Sequence, residues 1–214
     1  MTKQPISELL RNRNLFIAIE GVDGAGKSTQ VPRFADYLRR CDVNVITTRE
    51  PGGTPFAEKV RHLLLSADSS GIDHTTQALL VSAARRHHIL NLIQPALSSG
   101  KTVVTDRFTL SMSMYQSEVD EPTLLALRHI AGAMDCQPSM IFVLDASYET
   151  YMKRRGKEAL NHMDNMTEEE FETRRQIALT HTGFYPGDVI IIDANKSREE
   201  VLMQMITKFG EKLE

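Results

Sequence analysis

The sequence predicts an α/β protein built on a five-stranded parallel sheet. Three observations lead there: short, nearly continuous apolar runs recur along the 214 residues, longer segments with helical spacing separate them, and a glycine-rich turn joins the first run to the first helix. Strands covered on both faces read as unbroken apolar stretches, and strand–helix alternation implies right-handed crossovers between parallel neighbours.

The runs fall at 15–19 (LFIAI), 43–48 (VNVITT), 102–105 (TVVT), 140–144 (MIFVL) and 189–192 (VIII). Helical spacing covers about 27–41, 55–66, 74–98, 121–133, 147–156, 167–181 and 197–213. No repeat or low-complexity tract divides the chain, and 41% hydrophobic residues suffice for one core. One domain is expected over 15–214, behind an N-terminal extension at 1–14. Ligands of such sheets gather outside the carboxyl ends of the strands, so chemistry is expected in the turns that follow each run.

A formal charge of −3 argues against a surface devoted to nucleic-acid backbones, although a small anion needs only a local cationic pocket. Cys41 and Cys136 form no CxxC pair, which suggests a reducing compartment and buried structural thiols. The first residues, MTKQPISELLRNRN, lack the apolar core and cleavage site of a leader, and no apolar run reaches membrane-spanning length. A soluble, cytoplasmic protein is the expectation.

After the first run comes GVDGAGKST, in which Gly21, Gly26, Lys27 and Ser28 satisfy G-x-x-x-x-G-K-[ST]. Glycines let backbone N–H groups close around phosphate oxygens, Lys27 reaches the outer phosphates, and Ser28 can ligate Mg²⁺. Gly24, Ala25 and Thr29 complete the nucleotide-binding stretch. The strand before it and the helix after it are the context the motif requires, and together they predict a three-layer P-loop fold with helices on both faces of the sheet. The loop alone names no reaction, because switch GTPases, ATPases, kinases and ligases share it.

A second set of charges follows the next two strands. Pro51-Gly52-Gly53 forces a turn that leaves Arg49 at a strand end facing the same crevice, suited to a second anion. The alternative is pairing with Glu50 or another surface acid. Asp106 ends the third strand, where a carboxylate can reach Mg²⁺ through water, with Arg107 beside it and Ser111, Tyr115 and Gln116 on the turn beyond. In ALLVSAARRHH, one of Arg85 and Arg86 is expected to face solvent. Lys153, Arg154, Arg155 and Lys157 open a polar segment at about 153–168, either a cationic lid over phosphates or a solvated hairpin, and Thr167 to Glu170 reads as a capping box. His87, His88 and His162 lack zinc-like spacing.

From about Phe16 to the C-terminus these segments resemble the thymidylate kinase family, whose members phosphorylate dTMP with ATP. FIAIEGVDGAGKST, TREPGGTPFAEKVRHLLL, LIQPALSSGKTVVTDR, SMSMYQ, FVLDAS and VIIIDAN occur in family order, and REPGG after the second strand is the most specific of them. The resemblance implies a homodimer, ATP and Mg²⁺ at the phosphate loop, and dTMP in the adjoining crevice. It implies that Asp23 orders the acceptor sugar, that Arg49 and Arg107 hold the acceptor phosphate, that Arg85 contacts the base, and that Ser111, Tyr115 and Gln116 line the sugar and base pocket. Gly24 stands where one subgroup has a loop arginine, so lid arginines, Arg154 or Arg155, are the candidates for transition-state charge beside Lys27.

Several positions depart from the family pattern. Val81 replaces a base-stacking aromatic, the lid reads NHMD with His162 at a usual arginine, and Gln176 and Leu179 replace an arginine and a tyrosine. A base–aromatic stack contributes about 1–3 kcal/mol, so its loss opens the alternative of a 5-modified dUMP or another deoxynucleoside monophosphate as acceptor. A nucleotide switch is disfavoured by the absence of N-K-x-D, and a kinase acting within DNA by the absence of a cationic track.

Overall fold

The computed structural model describes residues 6–10, 14–66, 71–154, 166–181 and 185–214. In chain order the elements are α1 (Ile6–Leu9), β1 (Phe16–Glu20), α2 (Lys27–Arg40), β2 (Val45–Arg49), α3 (Pro55–Leu65), α4 (His74–His88), α5 (Gln94–Ser98), β3 (Thr102–Asp106), α6 (Thr109–Tyr115) and α7 (Glu121–Ile130). The chain continues through β4 (Met140–Asp145), α8 (Tyr148–Arg154), α9 (Glu168–Thr180), β5 (Asp188–Asp193) and α10 (Arg198–Leu213).

The five strands form one parallel sheet in the order β2-β3-β1-β4-β5, flanked by helices. β1 lies at the centre, wholly buried, and its neighbours β3 and β4 are buried except at their last residues. Edge strands β2 and β5 instead alternate towards solvent, as a strand covered on fewer sides should. The chain runs from β1 out to β2, returns through β3, and crosses β1 to reach β4. That reversal leaves a crevice at the carboxyl ends of the central strands.

Aromatic packing holds the helices to the sheet. Phe34 of α2 meets Phe142 of β4 and Phe209 of α10 edge-on, each with centroids 5.3 Å apart. Phe171 of α9 packs against Tyr148 and Tyr151 of α8. Helix starts are capped as their sequences suggest: Thr54, Asp73 and Asp120 each accept from a first-turn N–H, and Thr167–Glu170 and Ser197–Glu200 form reciprocal capping boxes.

Three expectations need correction. The helix read as continuous over 74–98 contains a π turn at Ile89–Ile93. Pro95 has no N–H to return to the preceding turn, and the widened ladder just before it absorbs the mismatch. Residues 109–115, expected from the sequence only as a turn, form α6; Thr109 to Met114 are all buried, so no amphipathic period marks it. Cys136 is buried as expected, but Cys41, at the C-cap of α2, is only half-buried.

Candidate active site

The phosphate loop follows directly from β1 because Gly21 lies against β4. A Cβ there would stand 2.6 Å from Leu144 O at a φ of +138°, so only glycine fits. Gly26 caps α2 without a side-chain hydrogen bond, which leaves first-turn N–H groups available to an anion. Lys27 is 5% exposed and donates to Val22 O at 2.7 Å. Burial pushes its ammonium down to about pKa 8; Arg107 pushes the same way, against Asp23, Asp106 and Glu20. A cation held by one carbonyl can exchange that bond for a phosphate oxygen.

Ser28 Oγ donates to Asp106 Oδ2 at 2.8 Å, and the buried Asp106 Oδ1 has no partner among the described residues. A hydroxyl beside a carboxylate with a spare oxygen suits a hard divalent cation, which binds through one or two carboxylates plus phosphates and keeps several waters. These residues line a cavity of about 870 Å³ that runs from Asp23 and the phosphate loop to the start of α10.

Beside the loop, Asp23 and Arg107 form a tight ion pair. Tyr115 donates its hydroxyl to Asp23 Oδ2 at 2.6 Å, while Arg107 also donates to Ser111 Oγ at 3.2 Å and Gly21 O at 3.4 Å. Burial raises the Asp23 carboxyl, but Arg107, Lys27 and the Tyr115 hydroxyl outweigh it and hold it at about 2. Arg107 has φ +71°, a left-handed conformation uncommon outside glycine and frequent at functional sites. Its N–H still donates to Ile19 O at 3.0 Å.

A second cavity, of about 140 Å³, adjoins this cluster. Its walls include Arg85, Val81, Met112, Gln116, Leu64 and Gln77. Arg85 is 2% exposed and donates to Glu50 Oε2 (2.7 Å), Phe108 O (3.0 Å) and Met112 Sδ (3.3 Å), whereas Arg86 is exposed. Arg49 reaches the larger cavity and pairs with Glu58 at 2.8 Å; the partner the sequence left open is therefore Glu58, not Glu50. The structure thus brings Lys27, Ser28, Asp106, Asp23, Arg107, Ser111, Tyr115, Gln116, Arg49, Arg85 and Val81 to two connected cavities.

Arg154 also lines the larger cavity, with its guanidinium donating to Gly24 O, Ala25 O, Ala194 O and Lys196 O at 2.7–3.3 Å. It ties the phosphate loop to the turn before α10. Arg155, Lys157, His162 and most of the lid segment lie outside the described residues.

Three residues of the site went unread in the sequence. Glu20 is fully buried and accepts from Phe108 N (2.7 Å), Ser111 N (3.3 Å) and Ser111 Oγ (2.6 Å), fixing the start of α6; burial raises its pKa. An acid closing an apolar strand beside a phosphate loop was the available signal. Arg61 lines both cavities and donates to Pro51 O at 3.1 Å, and Arg174 of α9 lies 4.7 Å from the Tyr115 ring centroid. Nothing local distinguishes either from a surface arginine.

A parallel sheet, a lysine-bearing phosphate loop and an adjoining cationic pocket define the class, a P-loop phosphotransferase. Residues 19–206 match the thymidylate kinase family model, and the chain belongs to that family. It is 38% identical over 192 residues to a thymidylate kinase of Symbiobacterium thermophilum, covering 88% of this chain and 89% of that one. It is 38% identical over 198 residues to a thymidylate kinase of Dinoroseobacter shibae (89% and 94% covered), and 36% identical over 196 residues to one of Vesicomyosocius okutanii (90% and 96% covered). No helix among the described residues is long and apolar enough to cross a membrane.

Proposed function

We propose that this chain transfers the γ-phosphoryl group of ATP to dTMP, with Mg²⁺ as cofactor. The observation that carries the reading is the adjacency of two anion sites, one at Lys27 and the α2 N-terminus, the other at Arg49, Arg61 and Arg107, in one continuous cavity. Phosphoryl transfer asks the protein chiefly to align the acceptor oxygen with the γ-phosphate and to neutralise charge spread over it. Lys27 and the backbone donors of residues 24–29 grip the donor phosphates. Arg107 is held by Asp23 and Tyr115 with its fork beside the loop, where the acceptor phosphate must lie. Ser28 and Asp106 would hold Mg²⁺, which would supply positive charge for the donor phosphates. Arg154 is the described lid-side cation, and Arg155 stays a proposed second.

A coupled ADP-release assay over a panel of deoxynucleoside monophosphates tests the assignment, with dTMP expected to turn over fastest. The non-aromatic Val81 and Met112 of the base pocket make 5-substituted dUMP the informative competitor, and its preferential turnover would reassign the acceptor. For dimerisation, the support is exposed apolar surface on α4 and α7, which pack together: Leu79 is 52% and Ile130 66% exposed.

Two results are expected from these residues. Asp106→Asn should raise the Mg²⁺ concentration for half-maximal rate about tenfold or more, with excess Mg²⁺ restoring most of kcat; an unchanged Mg²⁺ titration contradicts the ligand assignment. The lowered Lys27 pKa sets an alkaline limit. Above about pH 8 the free enzyme loses this cation, so kcat/KM for ATP should fall nearly tenfold per pH unit, while kcat, which reports the phosphate-bound complex, stays level to higher pH. The unfolded chain keeps its lysine protonated to about 10.5, so between pH 8 and 10.5 it binds more protons and this group adds to folded-state stability as pH rises.

A further inference from the structure

We propose that His88 is a positioning residue for the acceptor nucleotide, locking the phosphate-side segment 48–53 and the base-side Arg85 into one register. The inference rests on the reading of Arg49 as a phosphate ligand and Arg85 as a base ligand.

His88 closes α4 and is fully buried. The ring nitrogens meet the end of β2 and the turn after it: Nδ1 lies 3.0 Å from Glu50 Oε1, and Nε2 lies 2.7 Å from Thr48 Oγ1. Glu50, 2% exposed, gives its other oxygen to Arg85 Nε at 2.7 Å. Burial raises the Glu50 carboxyl, but Arg85 and His88 outweigh it, so the group is ionised and can only accept. Nδ1 therefore carries a proton towards Glu50, and Nε2 shares a hydrogen bond with the Thr48 hydroxyl.

The third member of the segment is Gly53. At φ +80°, a Cβ there would stand 2.5 Å from His88 Nε2, so the glycine backbone packs directly on the ring. Thr48, Glu50 and Gly53 thus surround one imidazole, and Arg49 is carried between them. One helical turn earlier on α4, Arg85 shares Glu50 with the same ring. Phosphate-side and base-side arginines are connected through two buried side chains: Glu50, which reaches the wall of both cavities and is paired with Arg85, and His88, which lines neither.

Asparagine places an amide nitrogen near Nδ1 and can keep the Glu50 link; glutamine places one near Nε2 and cannot. Steady-state kinetics of His88→Asn and His88→Gln test the proposal. His88→Gln is expected to raise KM for dTMP about tenfold with KM for ATP within twofold, and His88→Asn to stay within about threefold for both. A merely structural histidine would raise both constants together or spare neither variant, and either outcome overturns the proposal, as does an unchanged KM for dTMP in His88→Gln. Should His88→Gln not fold, Glu50→Gln reads the same link from its other end: KM for dTMP should rise about tenfold with KM for ATP unchanged, and no rise overturns it. Arg49→Ala and Arg85→Ala are the controls. If they leave KM for dTMP unchanged, the acceptor-site reading fails; if they raise it while the His88 and Glu50 variants do not, only the present inference fails.

Discussion

Lys27→Met is expected to lower kcat by about 10³-fold or more, while KM for dTMP changes by no more than a few-fold. Each tenfold in rate is about 1.36 kcal/mol of barrier, so the lysine is asked for about 4 kcal/mol, which is reasonable for a charge aimed where negative charge moves during transfer. The same substitution should not lower Tm. Lys27 is buried beside Arg107, and its depressed pKa means that folding disfavours its cation, so an apolar side chain of similar length removes an unfavourable group. Thermal melts with single-turnover rates separate the two effects; a fall in both Tm and rate would mean that Lys27 holds the loop together rather than the phosphate.

Arg107→Ala, by contrast, should damage stability as well as function. Its guanidinium is shared among Asp23, Tyr115, Ser111 and Gly21 O, so truncation leaves Asp23 partly buried without its principal partner. Breaking a buried, hydrogen-bonded charge pair costs about 2–5 kcal/mol. With side chains 15% and 24% exposed, the pair belongs towards the lower end for stability. Losing the proposed acceptor-phosphate ligand should lower kcat/KM for dTMP by about 10²–10³-fold. Arg107→Lys keeps a charge but loses the planar fork that reaches both Asp23 and Ser111, so it should recover at most about tenfold. Full activity in Arg107→Lys would contradict the fork geometry, and an unchanged Tm in Arg107→Ala would contradict the pairing.

How much of this was legible in the sequence depended on how local each cause is. β1, β3 and β4 are buried along nearly their whole length, so their apolar runs are unbroken, and the phosphate loop carries its reasons within nine residues. α6 was missed because burial on all sides erases helical periodicity, and the π turn because its cause, Pro95, lies downstream of the residues it distorts. Arg49, Asp106 and Arg107 could be placed at strand ends by position alone. Their partners could not, since Asp23 meets Arg107 across 84 residues and Arg85 meets Glu50 across 35. Glu20 and Glu50 read as ordinary acids until the fold buries them against Ser111 and Arg85. The sequence could nominate Arg154 for the lid, but not its four carbonyl acceptors on two separate loops.

Donor and acceptor nucleotides should be gripped side by side at the carboxyl ends of β1 and β3. Calorimetry with adenosine and thymidine joined 5′ to 5′ through five phosphates tests it most directly. One ligand per chain is expected, bound more tightly than ATP or dTMP alone and displaced by saturating either nucleotide. Displacement by ATP with no effect of dTMP would contradict it.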